Sequence, residues 1–328
     1  MSRVAVVFTG GTISMRRDER AGGNVPALDG RAILELTPGL AEIADVVPID
    51  RGLTPASHFG FGDLFAIGAA VREQLADPAI DGAVIVQGTD TIEETAFFWD
   101  LVLNQPKPVV VTGAMRSASD ADYDGPANLR NAIRCAASPT LRDQGVVVVL
   151  SGAIDPADDV IKTHTLSFDT FQSLNLGRLG TVSGDGVALE QMRSGRRHVD
   201  ATRAPERVLL ITAHVAMDGG LVDAALATGA DGLVIEATGA GNTSAALLDA
   251  AIRAMGAGIP VALTTRCPSG QASAAYAFPG GGATWVRAGA MLTGYLGGPK
   301  ARIALALGIG AGLDHDGLSA LLGDPAPP

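Results

Sequence analysis

Short apolar runs rich in β-branched residues alternate along this chain with segments of helical periodicity. Four runs open the pattern, each bounded by glycine or proline: Val4–Phe8, Ala83–Val86, Val109–Thr112 and Val146–Leu150. Continuous apolar runs of this length predict strands buried on both faces, as in a parallel sheet. Helix candidates lie between them: Asp63–Ala76, Ile92–Leu103 and Ala127–Ala137. This strand–helix alternation predicts an α/β fold.

The alternation is interrupted once, by the polar stretch Ser183–Glu206, which predicts a hairpin followed by a linker. Beyond it the pattern restarts, with strand candidates Val208–Thr212, Gly232–Glu236 and Val261–Thr264 and helix candidates Leu221–Ala227, Ser244–Met255 and Pro299–Leu307. We therefore predict a two-domain α/β protein. A larger N-terminal catalytic domain with a parallel sheet would span residues 1–185, a linker 186–206, and a smaller C-terminal α/β domain 207–328.

Composition excludes several classes of function. Of the 328 residues, 47% are hydrophobic and 18% charged, which is enough for a large core. The net charge of -11 disfavours a nucleic-acid partner. No apolar run approaches the roughly 20 residues of a membrane span, and the N-terminus lacks the features of a signal peptide, so we expect a cytoplasmic protein without membrane contacts. The two cysteines have no metal-ligand spacing and predict buried free thiols.

The first polar segment at a predicted strand end is VFTGGTIS, Val7–Ser14. In open parallel sheets, ligand sites lie beyond the carboxyl ends of the strands. Gly10 and Gly11 permit a sharp turn and a close approach to a ligand, and Thr12 would stand in the loop with its hydroxyl free. Taken alone, the segment favours an ordinary glycine-rich turn in which Thr12 is a cap.

The second segment is IVQGTDTIEETAFF, Ile85–Phe98. Gly88 ends the strand, and Thr89 and Asp90 occupy the loop before the next helix. An N-cap and two acidic residues in the first helical turn explain much of this pattern. They do not explain the further polar side chains around one glycine. The carboxylate of Asp90 is also suited to accept hydrogen bonds from a substrate ammonium.

The third segment is DDVIKTHTLSFDTF, Asp158–Phe171. It contains Lys162, the only lysine between Lys107 and Lys300, among apolar and hydroxyl residues. Partial burial would disfavour an ammonium and let the amine act as a base near neutral pH. Taken alone, a solvated surface lysine is the ordinary interpretation.

Together, Thr-Gly-Gly-Thr, Thr-Asp-Thr with trailing glutamates, and Asp-Val-x-Lys-Thr resemble the bacterial-type L-asparaginases. The resemblance runs from end to end, and further matching segments are TGAMR at Thr112–Arg116, DGPANLRNA at Asp124–Ala132 and PKAR at Pro299–Arg302. It implies hydrolysis of asparagine, and sometimes glutamine, to the acid and ammonia without a metal or cofactor. It also implies a homodimer or homotetramer in which a neighbouring subunit completes each site.

The resemblance also implies catalytic roles, residue by residue. Thr12 matches the nucleophile, which would form an acyl-enzyme with the side-chain amide of the substrate. Thr89, Asp90 and Lys162 match a second triad. In it, Lys162 would deprotonate Thr89 or a bridging water while Asp90 orients the group; alternatively, Thr89 itself positions the attacking water.

The same resemblance implies a set of substrate contacts. The residues expected to contact substrate are Gly11, Ser57, His58, Gly88, Ala114 and Asn242. Ser57 matches the serine that holds the α-carboxylate, and the carbonyl of Ala114 matches one that accepts a hydrogen bond from the amide. Asn242 matches an asparagine that helps complete the site of the neighbouring subunit. Main-chain amides near the two threonines would form the oxyanion hole.

The chain departs from the family pattern at three places. No tyrosine occurs in Ser14–Asp50, where the mobile loop of the family carries a tyrosine that contacts the nucleophile. Thr12 would then need another activator, such as a water or Lys162. His58 stands where the family has glutamine, and an imidazole cannot offer the same carbonyl to an ammonium. No acid occurs in Arg266–Leu307, where periplasmic members supply a glutamate.

These departures predict weak or altered specificity for asparagine. His58 would either stack against Phe59 or Phe61, contact the substrate directly, or act as a replacement general base. An alternative function is hydrolysis of a related amide, imide or lactam that lacks the usual α-ammonium. A second alternative is a non-catalytic sensor of a small amide, which the joint presence of the two threonines, the aspartate and the lysine disfavours.

Overall fold

The chain forms two compact units in a computed structural model that describes residues 1–184, 186–193 and 195–324. The units are Met1–Arg196 and Arg197–Pro328. The predicted fold class, a larger and a smaller α/β domain, is confirmed. The division between the units falls inside the stretch that the sequence predicts to be a hairpin and linker. That stretch includes Asp185 and Ser194, which lie outside the described residues.

Unit 1 contains twelve strands and four α-helices among its described residues. The strands are β1 Arg3–Phe8, β2 Met15–Asp18, β3 Gly23–Pro26, β4 Asp45–Asp50, β5 Gly82–Val86, β6 Val109–Thr112, β7 Val146–Leu150, β8 Ala153–Pro156, β9 Val160–Lys162, β10 Phe171–Ser173, β11 Gly180–Ser183 and β12 Gly186–Leu189. The helices are α1 Gly30–Glu35, α2 Phe61–Ala76, α3 Ile92–Val102 and α4 Gly125–Ala136.

The main sheet of unit 1 has eight strands in the order β12-β11-β8-β7-β6-β5-β1-β4. The strands from β4 to β7 run parallel, whereas β8, β11 and β12 extend the sheet in antiparallel fashion. The four predicted apolar runs are β1, β5, β6 and β7, and nearly every residue in them is buried. On one face, Leu129 and Ile133 of α4 pack against Val84 and Val110. Both faces of the parallel part are therefore covered, as the apolar runs predict.

The sequence patterns missed the strand at the parallel edge. Strand β4 lies at the edge of the main sheet, where it pairs only with β1. Its residues are half-buried or exposed, and it contains Pro48. Proline is tolerated at an edge strand, where its missing N–H leaves no ladder bond unmade. A hairpin is present as β11 and β12, but it begins at Gly180, three residues before the stretch in which it was predicted.

The segment after the hairpin is tied into unit 1 by buried charges. Arg193 pairs with Asp100 at 2.9 Å and with Asp158 at 2.8 Å, and all three side chains are at most 5% exposed. Arg196 also approaches Asp100, at 3.4 Å. Burial acts to raise the pKa of Asp100, but the two guanidinium groups outweigh it and lower that pKa. Two arginines of the predicted linker are thus held in unit 1 by ion pairs with buried carboxylates.

Asp155 on β8 is a buried carboxyl whose ionisation opposes folding. Burial raises its pKa to about 6, despite a 2.8 Å hydrogen bond from the hydroxyl of Ser173. Because the folded state binds this proton more tightly than the unfolded state, the stabilisation is complete below about pH 3.8 and is lost as the pH rises through about 6. The loss is at most about 3 kcal/mol at 1.36 kcal/mol per pKa unit.

We expect Asp155→Asn to raise the free energy of unfolding at pH 8 by about 1–3 kcal/mol, because a neutral amide keeps an acceptor for Ser173 without the buried charge. The gain should shrink towards pH 4.5, as shown by urea unfolding at both values. Asp249→Asn, on the exposed face of a helix of unit 2, controls for removal of one negative charge. An equal gain at the two pH values would contradict the assignment.

Unit 2 is a smaller parallel α/β unit. Its strands are β13 Val208–Thr212, β14 Gly232–Ala237, β15 Val261–Thr265 and β16 Met291–Leu292, in the order β13-β14-β15-β16. Its helices are α5 Gly220–Ala227, α6 Ala245–Gly256, α7 Gly282–Ala288, α8 Gly298–Gly310 and α9 His315–Leu322. Within the described residues, no helix of either unit is both long and apolar enough to cross a membrane.

The two cysteines are free, as predicted, but only one of them is buried. Cys135 lies inside α4, where burial raises the pKa of its thiol to about 12. Cys267 follows β15 and is exposed, contrary to the prediction of two buried thiols. A buried thiol with this pKa stays protonated and unreactive at neutral pH.

Candidate active site

The polar segments singled out in the sequence meet at one edge of the main sheet. Because β4, β1, β5 and β6 are parallel neighbours, the loops that follow them emerge side by side at their carboxyl ends. Ser57 follows β4, Thr12 follows β1, Thr89 and Asp90 follow β5, and Ala114 follows β6. We call the loops after β1, β5 and β6 the first, second and third loops.

The first and second loops touch through their glycines. Gly11 has φ +93°, a conformation that side chains rarely adopt. A Cβ on Gly11 would lie 2.1 Å from the main-chain nitrogen of Gly88. Only glycine allows this approach, and Thr12 and Thr89 each follow one of the two glycines directly. The double glycine of the first loop therefore lets the main chain beside Thr12 approach the main chain beside Thr89.

Thr12 begins a short 3-10 turn, Thr12–Ser14, with its side chain half-buried. The turn is closed by Ser14, whose N–H and hydroxyl both donate to the carbonyl of Gly11, at 2.9 and 2.7 Å. After it comes the β2–β3 hairpin, at the position of the mobile loop. Among the described residues, no other group of the chain is hydrogen-bonded to the Thr12 hydroxyl. The hydroxyl is left free to react, whereas the sequence alone favoured a cap.

Gln87, a fully buried residue directly after β5, holds the second loop in place through two hydrogen bonds. Its amide donates to the carbonyl of Gly88 at 3.2 Å and its oxygen accepts from the hydroxyl of Thr95 at 3.0 Å. Thr91 is the N-cap of α3 but makes no side-chain capping bond, and its hydroxyl instead donates to the carbonyl of Ala56. Helix capping therefore does not account for the polar residues of this loop.

Lys162 joins the second loop from the end of β9. Its Nζ lies 2.9 Å from the hydroxyl oxygen of Thr89 and 2.9 Å from Oδ1 of Asp90. The Lys162 side chain is 16% exposed, whereas that of Asp90 is 75% exposed. The surface-lysine interpretation is thus wrong, and the residues matched to the second triad are in contact. Asp90 presents its carboxylate to solvent, where a ligand can reach it.

Glu93 holds the main chain of Lys162 in place. Its Oε2 accepts the N–H of Lys162 at 2.8 Å from the first turn of α3, three residues beyond Asp90. Both ends of Lys162, its main chain and its amine, are thereby attached to one segment of the chain. From the sequence, Glu93 is explained by the helix dipole, because its partner lies 69 residues away in the chain.

The third loop is shaped by two side chains of α4 and its N-terminus. Asp124 accepts the main-chain N–H groups of Met115 and Arg116, at 3.0 and 2.9 Å. Asn128 donates to the carbonyl of Gly113 at 3.1 Å. A Cβ on Gly113 would lie 3.2 Å from the methyl group of Thr89, so this loop also lies against the second. These bonds fix the main chain around Ala114, whose carbonyl is the matched substrate contact.

Ser57 and His58 lie in the 3-10 turn Ala56–His58, and both are exposed. The turn abuts the second loop, because a Cβ on Gly88 would lie 3.2 Å from the Cβ of Ala56. Phe61 stacks on Phe98 of α3, with ring centroids 6.1 Å apart. His58 thus stands at the rim of the site, with its ring open to solvent.

Two further polar residues from the sequence, His164 and Asn242, make main-chain contacts close to them in the chain. Nδ1 of His164 accepts the N–H groups of Leu166 and Ser167, both at 3.0 Å, so this ring closes a turn after Lys162. Asn242 lies in unit 2, where its main chain pairs with that of Thr238. Its role in a neighbouring subunit stays a prediction. Within the described residues, no cluster of three His, Cys, Asp or Glu side chains could hold a metal ion.

This arrangement supplies the elements of acyl transfer from an amide. The hydroxyl of Thr12 is free, and the hydroxyl of Thr89 is hydrogen-bonded to the amine of Lys162. The main chains of Gly11 and Gly88 lie beside the two threonines. Among the described residues, the main-chain N–H groups of the two threonines donate to no other group of the chain, which leaves them for an oxyanion.

Comparisons with known proteins agree with this geometry. Residues 3–194 match the family model "Asparaginase, N-terminal" and residues 207–322 match "Glutaminase/Asparaginase C-terminal domain". An L-asparaginase of Bacillus licheniformis is 30% identical over 306 residues, 93% of this chain and 94% of its own length. A probable L-asparaginase of Deinococcus radiodurans is 35% identical over 325 residues, 96% of this chain and 95% of its own. The crystal structure of a probable cytoplasmic L-asparaginase from Campylobacter jejuni superposes with a TM-score of 0.88 at 27% identity, covering 98% of this chain and 99% of that one.

Proposed function

This chain belongs to the asparaginase family and is an amidohydrolase of the asparaginase type, and we propose that it releases ammonia from a side-chain amide through Thr12. The observation that carries the proposal is the pair of 2.9 Å contacts from Lys162 to Thr89 and Asp90, beside the glycine contact that holds Thr12. A small-molecule binding protein gains nothing from a largely buried amine bound to a hydroxyl, whereas proton transfer needs one within hydrogen-bond reach.

The reaction has two stages. In the first, the Thr12 oxygen bonds to the amide carbon, the C–N bond breaks, and the nitrogen leaves as ammonia after taking up a proton. In the second, a water oxygen bonds to the same carbon, the ester bond breaks, and Thr12 regains its proton. The free main-chain amides near the two threonines stabilise the oxyanion of both stages, a contribution of roughly 3–4 kcal/mol per donor.

Within the second triad, Lys162 serves proton transfer in one of two ways. It accepts a proton from Thr89, which then acts on the substrate or on water, or it accepts a proton from a water that Thr89 positions. Asp90 orients the amine through its 2.9 Å contact and keeps an exposed oxygen for the α-ammonium of the substrate. In the absence of a tyrosine on the β2–β3 hairpin, a water or Lys162 takes the proton of Thr12.

The proposal is tested by ammonia release from L-asparagine, L-glutamine, D-asparagine and succinamate, with Thr12→Ala measured beside the parent enzyme. Turnover of at least one amide that is lost in Thr12→Ala supports it. Binding of these amides without turnover, with an affinity that Thr12→Ala leaves intact, would instead indicate a sensor.

A second candidate substrate is an amide that lacks the α-ammonium, and it is favoured by His58, which stands where the family has glutamine and is exposed in the turn beside the second loop. We expect a Michaelis constant above about 1 mM for L-asparagine, because the carboxamide contact that glutamine would make is missing. His58→Gln should lower this constant about tenfold for L-asparagine and leave that for succinamate unchanged, since one charge-assisted hydrogen bond contributes about 1.5–3 kcal/mol.

Parallel kinetics with the two substrates separate this effect from a general change in the site. Succinamate has no ammonium, so it is the internal control for His58→Gln. A sub-millimolar constant for L-asparagine in the parent enzyme would exclude the altered specificity. An equal change for both substrates would show that His58 does not face the ammonium.

Location and assembly are part of the proposal. We place the enzyme in the cytoplasm as a homodimer or homotetramer, in which Asn242 of one subunit completes the site of the next. The support for location is the Campylobacter jejuni relative, which is described as a probable cytoplasmic L-asparaginase. The support for assembly is the resemblance in the GAGN segment that contains Asn242.

A further inference from the structure

Tyr123 is the only tyrosine among residues 1–196, and it lies on the third loop, not on the hairpin after Thr12. Its phenolic hydroxyl donates a 2.7 Å hydrogen bond to the main-chain carbonyl of Ile13, the residue next to Thr12. A phenol from a different loop thus contacts the turn that carries the nucleophile, in a chain whose hairpin has no tyrosine.

The packing around Tyr123 holds its ring in place. A Cβ on Gly125 would lie 2.4–2.5 Å from three atoms at the tip of the ring, so the phenol occupies the space that this glycine leaves. The third loop also contacts the start of β2, directly after the first loop, where the N–H of Ala118 donates to the carbonyl of Met15 at 3.0 Å. The contact between Tyr123 and Ile13 is therefore part of a docked surface between the first and third loops.

The phenol of Tyr123 keeps its proton at neutral pH and so remains a hydrogen-bond donor. Burial raises the pKa of Tyr123 above its ordinary value, and the negative charge of Asp124 raises that pKa further. Within the turn, the N–H of Ser14 bonds back to Gly11, and the Ile13 carbonyl accepts from the phenol. This bond fixes the peptide between Ile13 and Ser14, one residue beyond Thr12, and restrains the turn that directs the nucleophile.

We propose that Tyr123 is a positioning residue for Thr12: by holding the Ile13 carbonyl, it keeps the Thr12 hydroxyl aligned for attack on the amide carbon. It supports the nucleophile from the third loop, whereas the resembling enzymes use a tyrosine on the mobile loop. The inference rests on the proposed function, because it concerns the same hydroxyl and the same acylation stage. Catalysis depends on such alignment, since small misplacements of a nucleophile slow attack strongly.

The test is Tyr123→Phe, which keeps the ring and removes the donor. We expect kcat to fall about fivefold to twentyfold, about 1–2 kcal/mol of transition-state stabilisation, while KM changes less than about twofold. Single-turnover ammonia release should slow by the same factor, because the alignment acts on acylation. Gly125→Ala is a second variant, whose added methyl displaces the phenol without removing it, and it should show the same fall in kcat.

Tyr295→Phe is the matched control, since Tyr295 lies in unit 2 with its ring exposed. It should keep the parent kcat and KM. A kcat within twofold of the parent in Tyr123→Phe would overturn the inference, as would a lower melting temperature with unchanged single-turnover acylation. These outcomes are separate from failure of the proposed function, which would appear as parent enzyme without ammonia release or as full activity in Thr12→Ala.

Discussion

Thr12→Ala is expected to lower ammonia release on the order of 10⁴-fold, because removal of the nucleophile from an acyl-transfer site leaves only binding and oxyanion stabilisation. Thr12→Ser should keep a measurable fraction of the rate, since it retains a hydroxyl on the same turn. The melting temperature should barely change in either variant, because the Thr12 hydroxyl holds no other described group of the chain.

Thr37→Val is a matched control with the opposite pattern. The hydroxyl of Thr37 is buried and donates to the carbonyl of Ile33 at 2.8 Å, away from the site. Its loss should reduce the free energy of unfolding by about 1 kcal/mol and leave turnover unchanged. Full turnover in Thr12→Ala would remove the basis for the threonine acyl-enzyme.

Lys162→Met should lower kcat about 10²- to 10⁴-fold, the usual contribution of a general base. The substitution keeps the length of the side chain and removes both 2.9 Å contacts, so the hydroxyl of Thr89 loses its proton acceptor. Steady-state ammonia release gives the effect, and partial recovery on addition of a small primary amine would identify proton transfer as the lost step.

Lys107 is the matched control for Lys162, because it makes the same number of hydrogen bonds and lies outside the site. Its Nζ donates to the carbonyls of Leu75 and Asp77, both at 2.8 Å, and so makes as many hydrogen bonds as Lys162. Lys107→Met should therefore cost stability without changing kcat. A parent rate in Lys162→Met, or equal losses of kcat in the two variants, would show that Lys162 is structural.

The loops that carry Thr12 and Thr89 could be predicted from the sequence, because each is marked by a local pattern of residues. A β-branched run that ends in glycine and hydroxyl residues predicts a strand and the loop at its carboxyl end, and the runs before Thr12 and Thr89 are strands β1 and β5. The resemblance then assigned roles that neither segment carries by itself. Burial of Lys162 was not decided by its segment, which taken alone favoured a surface lysine, whereas its side chain is only 16% exposed.

The residues that hold Lys162 and the turn of Thr12 in place could not be predicted, because their partners are far away in the chain. Glu93 and Lys162 are 69 residues apart, and Ile13 and Tyr123 are 110 apart. The half-exposed strand β4 and the buried ion pairs of Arg193 were missed for a related reason. Burial at a sheet edge or in a polar segment depends on what packs against it, not on the periodicity of the segment.

The sequence by itself determined the α/β class, the parallel strands and the side chains available for chemistry at their ends, because burial pattern and turn residues act over a few neighbouring positions. Only the tertiary structure decided which of those side chains meet. The order of the parallel strands places the loops after β1, β5 and β6 together, the contact of Gly11 with Gly88 sets their spacing, and Tyr123 reaches the turn of Thr12. Sheet order and loop docking arise from contacts between distant segments, which no local pattern encodes.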